Sequence, residues 1–256
     1  MVLKIDVIAC LSDNYAYLLR DEESGAAVAI DAPEAAPILA AVKAAGGRLD
    51  SLLLTHHHGD HVEGASEIVS QTGAQLVGAA ADAHRLPPLD RTLADDESFS
   101  IGPFDFRVIA TPGHTRGHVV YQAQAAQALF SGDTLFSLGC GRLFEGSAAD
   151  MWESLLRLTA LPPETNIYPG HEYTASNGRF ALAVDPDNAA LVERLAEVEA
   201  LRAAAKPSIP VTLRRELLTN PFLRAADPAL AQRLGLTGAP AVEVFAELRR
   251  RKDSFR

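Results

Sequence analysis

The chain of 256 residues has little cysteine, only Cys10 and Cys140. Two cysteines so far apart make no disulfide framework, so the fold must rest on a buried core, which suits a reducing compartment. Long apolar runs are missing too: Leu52–Leu54 is stopped by histidines, and the first six residues carry charge where a signal sequence would be apolar. No membrane span or secretory signal is expected, and the cytoplasm is the expected location. Positive charge is scarce: 23 Lys and Arg against 33 Asp and Glu give 23 − 33 = −10. The chain as a whole lacks the basic face that a nucleic-acid partner requires. Any anionic ligand must be met by a local basic patch. With 48% hydrophobic and 22% charged residues, the composition is globular, enough for one large domain or two small ones.

What is present reads, over the first two thirds, as short strands alternating with short helices. Residues 2–9, 15–19, 26–30, 51–55, 75–77, 104–110, 119–122 and 128–131 are apolar or alternating runs bounded by turn formers. Helical stretches are expected at 33–45, 62–72 and 149–159, ending at Gly or before Pro. Several strands follow one another directly, as in hairpins, so a mixed or antiparallel sandwich flanked by helices fits better than a doubly wound parallel sheet. The texture changes near Thr174. Residues 188–205 form an amphipathic helix with Leu191, Leu195, Val198 and Leu201 on one face, and further helices are expected at 213–217, 228–234 and 240–252, with no strand signal. This places a boundary between residues 1–173 and an all-helical domain, 174–256.

The most informative segment is Thr55-His56-His57-His58-Gly59-Asp60-His61, directly after an apolar strand. Side chains alternate in an extended segment, so His56 and His58 point one way and His57 the other. Asp60 and His61 follow as the chain turns into a helix. Imidazole with carboxylate is the donor set of zinc, iron or manganese. Four donors within six residues outweigh the ordinary reading of a lone histidine as a satisfied side chain. Three further candidates, His114, Asp133 and His171, each follow a glycine at the end of an expected strand.

These motifs resemble the metallo-β-lactamase superfamily over residues 1 to 173. Flanking segments are similar to one family within it, the glyoxalase II hydroxyacylglutathione hydrolases: Asn14-Tyr15, the run from Gly139 to Gly146, Gly170-His171-Glu172-Tyr173-Thr174, the run from Asn220 to Arg224, and Arg249-Arg250-Arg251-Lys252-Asp253. The resemblance implies a four-layer αββα sandwich with a small all-helical C-terminal domain that binds substrate. It implies two divalent metals, zinc foremost, with iron or manganese served by the same ligands. His56, His58 and His114 would hold the first, Asp60, His61 and His171 the second, and Asp133 would bridge them. Water between metals about 3.5–4 Å apart becomes hydroxide near neutral pH, the expected nucleophile, with Asp60 and Asp133 orienting it or accepting its proton. The expected substrate is S-D-lactoylglutathione, cleaved to glutathione and D-lactate in methylglyoxal degradation by a monomer. A thioester suits such a site, because a thiolate with a conjugate-acid pKa of about 8.5 departs without a committed general acid.

Arg249 and Lys252 are spaced i, i+3 on one helix, and the resemblance puts glutathione's carboxylates on them, with Arg142 and Tyr173 nearer the metals. A terminal basic run is otherwise a solvated helix end. Phe144 stands where some members carry Tyr, so a hydroxyl contact to the glutathione glycine is expected to be missing or replaced. His57 is read as a spacer, His84 as a surface residue, His118 as a ligand-orienting partner or a plain turn residue, Cys140 as a small residue in a turn without redox role, and Asp31 as a helix cap. Competing readings are a mononuclear-iron persulfide dioxygenase, which generally lacks the C-terminal helices, a lactonase or phosphodiesterase of the same fold, and a non-enzymatic protein, which would have lost ligands.

Overall fold

All eight expected strands form. A computed structural model describes residues 3–255; Val2, expected to head the first strand, lies outside them. The chain forms two compact units, Met1–Ala110 with Arg116–Gly132, and Thr111–Thr115 with Asp133–Arg256.

In the first unit, β1 (Leu3–Cys10), β2 (Asn14–Asp21), β3 (Ala27–Ile30), β4 (Ser51–Leu53), β5 (Gln75–Ala79) and β6 (Arg91–Leu93) follow one another in a mixed sheet. The pairing is antiparallel from β1 to β3 and parallel from β3 to β6. Parallel neighbours need crossovers, supplied by α1 (Ala35–Ala44) and α3 (Ala65–Thr72), with the short α2 (Gly59–Val62) between them. Strand alternation sorts the core into two layers. Ala16, Leu18, Ala29, Leu52 and Leu76 pack against Ile38 and Val42 of α1 and Ile68 of α3. The opposite face meets a second, antiparallel sheet of β7 (Ser98–Ile101), β8 (Phe104–Ala110), β9 (Val119–Ala123) and β10 (Ala128–Gly132). The rings of Tyr17 and Phe130 lie 5.4 Å apart there, and Tyr121 donates across to the Leu54 carbonyl at 2.7 Å. The helix expected over 62–72 is divided, because the Gly64 N–H donates to Ala32 O instead of up its own helix.

The second unit begins with a hairpin of two-residue strands, β11 (Leu135–Phe136) and β12 (Gly139–Cys140). It continues with α4 (Ala148–Thr159), started by a Ser147–Asp150 capping box, and β13 (Asn166–Pro169). Then come α5 (Thr174–Val184), α6 (Ala189–Ala203), β14 (Val211–Thr212), α7 (Leu213–Thr219), α8 (Pro228–Arg233) and α9 (Ala241–Ser254). β11, β12 and β13 lie outside the expected strands, and two further features differ from expectation. α5 lacks a marked amphipathic pattern and is held by burial of Phe180, Ala181 and Val184. β14 puts strand structure where none was expected, pairing Val211 and Thr212 with Ile167 and Asn166. Phe222 joins the helices through ring centroids 5.9 Å from Phe180 and 5.8 Å from Phe245. Among the described residues no helix is long and apolar enough to cross a membrane.

Candidate metal centre

The donor loop leaves β4 and turns into α2, where the His61 N–H closes on His58 O at 2.9 Å. As alternation requires, His56 and His58 fall together, with Nε2 of one 3.1 Å from Nδ1 of the other. His57 points elsewhere, its Nδ1 2.9 Å from the buried carboxylate of Asp82. The donor atoms of His56 lie within 4.8 Å of those of His58 and His61, as do those of Asp60 and His61. Asn14 Nδ2 donates to Asp60 Oδ2 at 3.1 Å and to the Asp60 carbonyl at 2.9 Å, fixing that carboxylate.

Beneath the loop lies a residue the sequence reading placed wrongly. Asp31 caps no helix; α1 is preceded by Glu34, without a side-chain cap bond. Asp31 is 3% exposed and adopts a φ of 58°. Its Oδ1 accepts from Thr55 N–H at 2.8 Å, and its Oδ2 accepts from Thr55 Oγ1 at 2.9 Å and His61 Nδ1 at 2.8 Å. A carboxylate only accepts, so the proton of His61 sits on Nδ1 and its Nε2 keeps a free lone pair. With its own hydrogen given to Asp31, Thr55 Oγ1 accepts from His56 Nδ1 at 3.0 Å, and His56 likewise presents Nε2. The available signal was position: Asp31 ends a strand beside the one that leads into the histidine loop. His118, fully buried, stacks on His56 at 4.9 Å. His84 is exposed, as expected.

The second unit carries the other three donors. Asp133 Oδ2 lies 3.4 Å from His114 Nε2 and 3.4 Å from His171 Nε2. His114 Nδ1 is engaged by the Arg142 carbonyl at 2.9 Å, so it too presents Nε2. The segment bearing His114 is fastened to α4 and its approach by Gly146 N–H to Gly113 O at 3.0 Å and Ser154 Oγ to Pro112 O at 2.8 Å. Gly113 and Gly132, preceding His114 and Asp133, take φ of 155° and 47°, angles that favour glycine. Tyr173 stacks on His171 at 4.6 Å and 5°, while Phe144, 63% exposed, sets its ring edge-on to His114 at 5.2 Å. Imidazole nitrogens aimed through Nε2, together with carboxylates, are a donor set for divalent metal.

The hairpin between Asp133 and Arg142 is held from the helices. Glu216, fully buried on α7, accepts from Ser137 Oγ at 3.0 Å and Leu138 N–H at 2.8 Å. Asn220 donates to Phe136 O, Gly139 O and Glu216 at 3.2, 3.0 and 2.9 Å. Burial pushes the Glu216 carboxyl up, against the pull of these donors and of Arg194. Arg249, 5% exposed, donates to Cys140 O at 2.9 Å and pairs with Asp253 at 2.8 Å. Burial pushes the Cys140 thiol up to about 11, consistent with an inert side chain. Lys252 is half-buried, and burial followed by the charges of Arg249, Arg179 and Arg142 lowers its amine to about 8.

Residues 15–171 match the model of the metallo-beta-lactamase superfamily, and residues 172–255 that of the hydroxyacylglutathione hydrolase C-terminus. The hydroxyacylglutathione hydrolase of Methylococcus capsulatus is 54% identical over the whole of both chains. That of Roseobacter denitrificans is 52% identical, again end to end. Among solved structures, the BLEG-1 B3 metallo-beta-lactamase superposes with a TM-score of 0.68 at 23% identity, over 86% of this chain and 99% of that one. The likeness in fold extends the sheets and helices described above to the metallo-β-lactamase sandwich, and the full-length identities carry the helical segment with it. This chain belongs to the hydroxyacylglutathione hydrolase family of the metallo-β-lactamase superfamily.

Proposed function

We propose that the chain hydrolyses the thioester of S-(2-hydroxyacyl)glutathione, converting S-D-lactoylglutathione to glutathione and D-lactate in methylglyoxal degradation. The observation that carries the reading is a metal-donor loop and a cationic helical segment in one chain, matched end to end by hydroxyacylglutathione hydrolases. The chain divides by role at residue 173, the first part holding the chemistry and 174–256 the glutathione moiety. The two family models, which meet between 171 and 172, support that division.

His56, His58 and His114 would hold one zinc ion and Asp60, His61 and His171 a second, with Asp133 serving both sets. Imidazole and carboxylate donors support this, being the set that a divalent zinc ion takes. When bound, the metals polarise the thioester carbonyl and acidify the attacking water. The protein does the rest. Asp60, steadied by Asn14, and Asp133 orient that water and accept its proton. The thiolate leaves without a protein acid, its conjugate pKa being about 8.5. Tyr173 and Arg142 flank the acyl–sulfur end, Lys252 meets a glutathione carboxylate, and Arg249, already bonded to Asp253, adds charge beneath it. Phe144 offers an aromatic edge without a hydroxyl. Cys10 and Cys140, buried and unpaired, support a reducing compartment, the cytoplasm.

The test is the rate of thioester loss from S-D-lactoylglutathione by protein whose metals have been counted by elemental analysis. Efficient turnover with close to two metals per chain is expected. Absence of turnover with two metals bound refutes the substrate, and a single iron with dioxygen uptake points to persulfide oxidation instead.

A further inference from the structure

Three separate segments of the second unit set three guanidinium groups around one amine. Arg142 follows β12, Arg179 lies on α5, and Arg249 and Lys252 lie on α9. Lys252 Nζ reaches across to α5, donating to Ser176 O at 3.4 Å and Ser176 Oγ at 3.3 Å. It sits over the rings of Phe180 and Phe255 at 5.7 and 5.9 Å. Ser176 and Arg179 are i, i+3 on α5 and so share a face. Arg179 therefore stands one turn along from the point where Lys252 docks, and its charge is among those felt by the amine.

The four cations are not equivalent. Arg249 is buried and committed to Asp253, Cys140 O and the Phe222 ring. Lys252 is anchored to α5. Arg179 is exposed, and its guanidinium has no hydrogen bond or ion pair among the described residues. Asp253 is the one carboxylate whose charge bears on Lys252 in the opposite sense. In a chain of net charge −10, acidic side chains are plentiful, yet they leave this face unneutralised. An anion that bridges α5 and α9 would relieve the repulsion and find a planar, two-pronged donor ready for a carboxylate.

We infer that Arg179 is a specificity residue that, together with Lys252, takes the glycine-end carboxylate of the glutathione moiety. The inference rests on the glutathione-thioester reading of the site. Its test is calorimetric titration of the metal-loaded protein with glutathione and with glutathione esterified at the glycine carboxylate, for the wild type, Arg179→Gln and Arg179→Lys. Arg179→Gln is expected to weaken glutathione about fivefold, the size of one solvent-facing charge pair, to leave the ester's affinity unchanged, and to be partly rescued in Arg179→Lys. An unchanged dissociation constant for glutathione, or equal losses for glutathione and its ester, overturns it. The outcome is independent of turnover: a glutathione-selective loss in a protein that does not hydrolyse the thioester sinks the hydrolase reading alone. Normal hydrolysis with no effect of Arg179→Gln sinks this inference alone.

Discussion

Replacing Asp31 by Asn changes one atom of the support beneath the donor loop and should reverse the proton on two ligands. Asp31 Oδ1 accepts from a backbone N–H, that of Thr55, so the amide must keep its oxygen there and place NH₂ where Oδ2 was. That nitrogen faces His61 Nδ1 at 2.8 Å and Thr55 Oγ1 at 2.9 Å. Nδ1 of His61 must then accept, moving its proton to Nε2. Thr55 Oγ1, now accepting from the amide, turns its own hydrogen to His56 Nδ1, 3.0 Å away, with the same result. Both imidazoles would present N–H where a metal needs a lone pair. Supporting partners of this kind change metal affinity by roughly 10- to 100-fold per ligand, and each charge-assisted bond lost costs about 1.5–3 kcal/mol. Asn tolerates the left-handed φ of 58°, so the fold should survive. Competition of the apoprotein against a chromophoric zinc chelator reads the outcome, with thermal melts of apo and zinc-loaded protein as control. An Asp31→Asn variant that takes up both zinc equivalents as tightly as the wild type would refute the proton assignment.

Other expectations follow from the same geometry. Lys252 has its amine lowered to about 8, so it is charged below that pH and loses its charge as pH rises through it; KM for S-D-lactoylglutathione should climb above pH 8, and Lys252→Arg should remove the climb. A Cβ on Gly141 would lie 1.8 Å from the Asp133 carbonyl oxygen, a backbone clash that no rotamer relieves; Gly141→Ala should fail to fold or lose metal, measured by circular dichroism and elemental analysis. Glu216→Ala takes the acceptor from three buried donors, which should cost about 3–5 kcal/mol at roughly 1–3 kcal/mol for each group left unsatisfied and lower Tm by roughly 6–20 °C; a shift below 3 °C would argue against the network.

The donor loop was legible because its chemistry is crowded into six residues, and strand alternation alone separates His57 from His56 and His58. The strands were legible because burial on one or both faces imposes a period of two or an apolar run. What escaped depends on tertiary partners. Asp31 looked like a cap because an Asp before Ala-Pro ordinarily is one, and only the register between β3 and β4, which pairs Ile30 with Leu53, brings it under Thr55. α5 has no strong amphipathic rhythm, and β14 is too short to show alternation, existing through its pairing with β13. The basic run at the end of α9 is two separate populations: Arg249 is buried, and Arg250 is exposed on Glu247.

Two-residue strands cannot sustain a hairpin unaided, and the one that runs from Asp133 towards Arg142 borrows its shape from Glu216, Asn220 and Arg249. The C-terminal helices are therefore scaffolding for the turn that follows Asp133. A gene fragment ending at residue 173 would lose the braces of the turn after Asp133. For descent, this means that the helical segment cannot be shed or exchanged piecemeal: a lineage that drops it must first invent another way to hold that turn.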